Sequence, residues 1–166
     1  MEQNKSSLNE NRILIWGIII SIMAILLFLY NYPFHQSVDH TITAIIYIDG
    51  QASDKTTVSM KGEKTNYVLR KNERYDGSFD IVFYPGTNSK SVKADIRWDK
   101  AVGNWITYYS PGNFAVKLDG PYIEYISEDM TEFVLRDKET NIFIATSEEL
   151  FDIYAMPYQQ MYNKLK

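Results

Sequence analysis

The 166-residue sequence contains no cysteine. This excludes disulfides, thiolate nucleophiles, cysteine-linked lipid and every cysteine-based zinc or iron–sulfur site. Histidine is scarce as well, with only His35 and His40. A catalytic triad or a metal pair would have to recruit one of these two. No third ligand is positioned beside them, and no G-x-S-x-G, H-E-x-x-H or P-loop string occurs. No metal and no cofactor are therefore expected. With 8 Gly and 5 Pro the chain is neither collagen-like nor low-complexity. Positive charge is not in excess: 17 Lys and Arg stand against 21 Asp and Glu, a net −4, so bulk charge excludes a nucleic-acid partner. Hydrophobic residues at 45% suit an ordinary folded domain.

The longest apolar run is Ile13 to Leu29, ILIWGIIISIMAILLFL, which carries no charge. Extended to Phe34 as a helix it measures roughly 33 Å, the thickness of a bilayer's hydrocarbon core plus a margin. Trp16 and the pair Tyr30, Tyr32 stand near its ends, where amphipathic rings prefer the headgroup level. It shows no polar stripe, unlike the core helix of a soluble domain. A cleaved signal peptide would end at small residues, whereas Tyr30-Asn31-Tyr32-Pro33-Phe34 is bulky, so an uncleaved anchor is expected. Lys5 and Arg12 precede the run and the next basic residue after it is Lys55. That asymmetry places the N-terminus in the cytoplasm and the rest outside the cell membrane. The expected layout is a cytoplasmic tail at 1–12, a single-pass transmembrane signal-anchor helix at 13–33, a short linker at 34–39 and an extracytoplasmic domain at 40–166.

Period-two alternation dominates the outer domain. Ile42, Ala44, Ile46 and Ile48 alternate within His40–Ile48 before an Asp49-Gly50 turn. Phe79, Ile81 and Phe83 alternate within Ser78–Tyr84, bounded by Asp76-Gly77 and Pro85-Gly86. Val92, Ala94, Ile96 and Trp98 do so within Lys90–Trp98. Further strands are expected at Trp105–Tyr109, Phe114–Leu118, Tyr122–Ser127, Glu132–Arg136 and Asn141–Ala145, with weaker ones at Thr56–Met60 and Asn66–Arg70. About ten short strands at hairpin spacing predict an all-β antiparallel sandwich or barrel. The expected core is Ile42, Ile46, Phe79, Ile81, Phe83, Val92, Ile96, Trp98, Phe114, Val116, Ile142 and Ile144. Thr146-Ser147-Glu148-Glu149 reads as a helix start, predicting a short C-terminal helix from about 147 with Leu150, Ile153, Tyr154 and Pro157 as its buried stripe.

Carboxylates are the abundant reactive groups. Asp76 and Asp80, or Asp95 and Asp99, would lie about 13 Å apart along a strand. A glycosidase pair needs roughly 5 to 9.5 Å, so no catalytic residue is assigned. Glu124, Glu128, Asp129 and Glu132 cluster near a turn without calcium-loop spacing. Aromatics are the remaining signal. Tyr47, Tyr84 and Tyr108 fall on the phase opposite the expected core, and with Arg97 and Lys93 they are the expected exposed binding surface.

The stretch Asp76 to Pro85, DGSFDIVFYP, behind an N-terminal anchor and within a β-rich region, resembles in its layout the uncharacterised small membrane-anchored proteins of Gram-positive bacteria. The resemblance implies a bacterial-surface placement and no activity. The expected function is a non-enzymatic binding or accessory module for a protein or cell-wall glycan, held to membrane lipid by its N-terminal helix. An enzyme acting on wall or glycan material with paired carboxylates is the alternative. A subunit of a larger membrane complex is a third reading, with Gly17 and Ser21 as a small-xxx-small helix contact.

Overall fold

A computed structural model of the chain describes residues 3–68, 73–87, 92–99, 103–111, 120–137 and 139–165, with side chains from Arg12 to Met161 of those ranges, Pro85 apart. The first element is helix α1 (Gln3–Asn31). Its large apolar side chains from Ile13 to Phe28 are exposed all round, and nothing in Arg12–Asn31 is buried. The helix is long and apolar enough to cross a membrane. Two polar side chains bond back within the helix: Ser21 Oγ donates to Gly17 O and Asn31 Nδ2 to Leu27 O, both at 2.9 Å.

Eight strands follow: β1 (Pro33–Ile48), β2 (Gln51–Tyr67), β3 (Glu73–Ile81), β4 (Lys93–Trp98), β5 (Trp105–Tyr109), β6 (Tyr122–Ile126), β7 (Phe133–Arg136) and β8 (Ile142–Ala145). They form one antiparallel sheet in the order β5-β4-β3-β2-β1-β8-β7-β6. Chain neighbours are thus sheet neighbours except β5 and β6, β1 also joins β8, and the sheet curls until β5 and β6 meet, with no ladder between them among the described residues. This is an up-and-down sheet that is nearly a barrel. The expected antiparallel β class holds, with eight strands among the described residues instead of about ten. Thr56–Met60 and the first part of Asn66–Arg70 merge into the long β2. The expected strand Phe114–Leu118, with its core candidates Phe114 and Val116, lies outside the described residues.

Three local expectations are corrected. Residues 34–39 are not a linker: β1 begins at Pro33 and pairs with β2 along its whole length. Asp76-Gly77 is not a turn but mid-strand, opposite Asp95 and Ala94 on one side and Glu63 and Gly62 on the other. Gly77 serves close approach there, since a Cβ at this position would sit 2.6 Å from both Gly62 Cα and the Tyr75 hydroxyl. The Tyr75 side chain takes the place of the missing one and donates to Ser78 O at 2.5 Å. The turn falls instead at Val82-Phe83, so Phe83 is 37% exposed and not core. The Asp49-Gly50 turn forms as expected, with φ of 49° and 85°.

Two cores result. Inside the curl, Ala44, Ile46, Val58, Met60, Tyr75, Phe79, Ile81, Val92, Ala94, Ile96, Trp98, Phe133, Leu135 and Ile144 are buried, with Ile42 and Ile142 packed partly buried against them. Outside, Tyr47, Val134, Phe143 and Ala145 pack under helix α2 (Glu148–Tyr154), which contributes Phe151 and is followed by Ala155 and then helix α3 (Met156–Leu165). Ser147 caps α2, its Oγ accepting from Leu150 N at 3.3 Å. The buried stripe of α2 is Phe151 with half-buried Leu150 and Tyr154; Ile153 and Pro157 are exposed, because the helix breaks at Ala155 and restarts ahead of Pro157.

Two carboxylates tie the loops. Burial draws Asp137 upward, but bonds from Thr140, Tyr84 and the Thr140 and Glu139 amides outweigh it and hold its pKa below the usual carboxylate range. Bonds from Ser127 and Thr131 lower Asp129 likewise. A folded-state pKa depressed below the unfolded value contributes stability above that value, near 3.9, and loses it as pH falls through the folded pKa. The midpoint of denaturant unfolding is therefore expected to hold from pH 7 to about 5 and to fall below about 4. Asp137→Asn should flatten that acid limb.

Candidate binding site

The register decides which side chains share the outer face of β1–β5. One row runs His35, Thr65, Arg74, Arg97, Trp105 across five strands, and the next runs Ser37, Glu63, Asp76, Asp95, Thr107. A basic row thus lies directly beside an acidic one. Arg74 Nε donates to Asp95 Oδ1 at 2.9 Å and its Nη2 to Asp76 Oδ2 at 3.3 Å. Arg97 Nη2 donates to Asp95 Oδ2 at 3.0 Å, and Lys93 Nζ lies 3.8 Å from Asp76. The Tyr109 hydroxyl donates to Asp76 at 2.8 Å. Burial first, then that bond to a carboxylate, pushes its pKa up to about 12. The bond to Asp95 raises the Arg74 pKa further.

At the end of the sheet where β1, β3 and β5 begin and β2 and β4 end, a half-open cleft of about 430 Å³ is lined by Thr65, Tyr67, Glu73, Arg74, Arg97, Trp98, Asp99 and Trp105. That volume suits a small ligand or one sugar unit of a polymer. Trp105 is exposed, and the Arg97 guanidinium lies 6.0 Å from its ring centroid. Asp95 holds both arginines in place while each keeps further guanidinium donors.

Two of the lining residues, Glu73 and Trp98, also hold a buried cation. Lys64, 4% exposed in its side chain, occupies an inward position of β2, pairs with Glu73 and donates to Glu128 O. Its ammonium lies 4.7 Å from the Trp98 ring centroid, and Trp98 Nε1 donates to Ile126 O at 3.3 Å. These contacts pull the β6–β7 loop across the end of the curl, where Met130 is fully buried with a φ of 62°. The charged residues of the lining are two acids, Glu73 and Asp99, and two bases, Arg74 and Arg97, so the cleft is close to electroneutral.

The tyrosines expected as the contact surface do not form it. Tyr47 is 4% exposed and stacks on Phe151, centroids 3.8 Å apart, because α2 covers the outer face of β1. Tyr108 is 2% exposed and faces the inside of the curl. Tyr84 is half-buried, its hydroxyl donating to Asp137 at 3.0 Å. Arg97 and Lys93 are exposed on the outer face of β4, and Arg97 alone of the five expected residues lines the cleft. A run such as Ala44-Ile45-Ile46-Tyr47-Ile48, apolar on both phases, signals a strand covered on both sides and marks Tyr47 as core. Tyr67, Glu73, Arg74 and Trp105 carry no such signal, because only the pairing of four strands brings them together.

The register also brings Asp76 and Asp95 directly opposite one another, at a spacing that offsets along one strand do not suggest. Both are bonded by Arg74, so each carboxylate is already committed. Asp80, whose carboxyl burial pushes up, has Ser59 opposite it on β2 and not a second acid. Among the described residues no three His, Asp or Glu side chains are placed to hold a metal. No family model, curated protein or solved structure matches the chain.

Proposed function

We propose that this protein is a single-pass, membrane-anchored, non-enzymatic module. Its N-terminus lies in the cytoplasm, and its β domain outside binds a cell-wall glycan or a protein at the anchor-side cleft. The observation that carries this reading is the cleft itself. An exposed Trp105, a neighbouring Tyr67 and two arginines held by Asp95 supply flat apolar faces and fixed planar donors without net charge. That combination suits a sugar ring, with its apolar face and hydroxyl rim, better than a strongly charged ligand. Commitment of Asp76 and Asp95 to arginine favours binding over acid–base catalysis, which needs a carboxyl free to exchange its proton.

Full-length protein in detergent should sediment with insoluble cell-wall glycan, and Trp105→Ala with Arg97→Ala should weaken that binding at least about tenfold, the effect of losing one stacking and one bidentate contact. The melting temperature should barely move, since both residues are exposed. Unchanged retention of the double variant would remove the cleft from the function. The topology has its own check: protease added to intact protoplasts should remove the β domain, and full protection would overturn the outward placement.

A further inference from the structure

We propose that the anchor-side rim of the β domain rests in the headgroup layer of the bilayer that holds α1, so that a lipid surface is a second binding partner and fixes the direction in which the cleft opens. This rests on the reading of α1 as a membrane span. Tyr32 alone separates the last helical residue, Asn31, from the first strand residue, Pro33. Its amide donates to Phe28 O at 2.8 Å, its ring stacks on Phe28 at 4.9 Å and meets Phe34 edge-on at 5.3 Å. The joint is hydrogen-bonded and clamped by aromatics, so the domain does not hang on a tether. Even fully extended, the four residue-to-residue steps from Leu29 to Pro33 reach no more than about 14 Å.

The surface presented at that end has the chemistry of an interfacial belt. Tyr30, Tyr32, Phe34 and Val68 are all exposed there. Tyr67, which pairs with Pro33, sets Val68 at the level where the helix ends. Amphipathic rings favour the boundary between hydrocarbon and water, and an exposed apolar set continuous with a membrane helix shares that helix's reason for being bare of protein.

Because the chain has no cysteine, single cysteines for spin labelling carry no background. The full chain would be reconstituted in vesicles of equal phosphatidylcholine and phosphatidylglycerol, with labels at Ile20→Cys in α1, Val68→Cys and Phe34→Cys on the rim, and Thr43→Cys higher on β1. Collision with oxygen and with a water-soluble nickel chelate reads depth. The Ile20 label should lie in hydrocarbon, and the Val68 and Phe34 labels should be several-fold less accessible to nickel than the Thr43 label. Rim labels as accessible as Thr43 above a deep Ile20 label would overturn the docking while leaving the anchor intact. An Ile20 label in water would overturn both.

Discussion

Phe79→Ala is expected to lower the unfolding free energy by about 3 to 5 kcal/mol, and Phe83→Ala by under about 1 kcal/mol. Phe79 is 1% exposed inside the curl and meets Phe133 edge-to-face at 6.0 Å, so truncation forfeits transfer energy and leaves a cavity between β3 and β7. Phe83 shares its phase in the sequence, yet β3 ends at Ile81 and the ring sits on the surface against Tyr84. Chemical denaturation of the full chain in one detergent, read by circular dichroism, compares the two directly. Equal losses would mean that β3 continues through Phe83.

The second large effect concerns the buried pair of Lys64 and Glu73. Glu73→Ala should cost about 3 kcal/mol, because it leaves the Lys64 ammonium buried with only the Glu128 carbonyl and the face of Trp98 for company. Lys64→Met combined with Glu73→Leu should recover most of that loss, since an apolar pair of similar volume carries no desolvation cost. A double variant as unstable as Glu73→Ala would show that the ion pair itself holds the β6–β7 loop. The same measurement bears on the cleft, whose wall Glu73 forms.

Much of this architecture is legible along the chain. The uncharged run at Ile13–Leu29, the Asp49-Gly50 turn, the alternation of Val92 to Trp98 and the Ser147 cap each express a local rule, in which a residue's neighbours within one turn or one strand decide its state. Where the reading failed, two rules competed. Asp76-Gly77 has turn chemistry, but Tyr75 fills the space over Gly77 and the pairing of β2, β3 and β4 draws the dipeptide into the sheet. Tyr47 has the alternation of a wet face, but Phe151, about a hundred residues on, covers it.

Composition, period and capping act over a few residues, and they suffice for the apolar helix, the antiparallel β class, the lack of thiol chemistry and the helix after Ser147. Long-range pairing sets the rest: which tyrosines are buried, that Asp76 faces Asp95, and that Arg74, Arg97, Trp98 and Trp105 meet Tyr67 in one cleft. A one-residue slip of register exchanges the two faces of a strand, so a site assembled from β2, β3, β4 and β5 exists only once all their pairings are set.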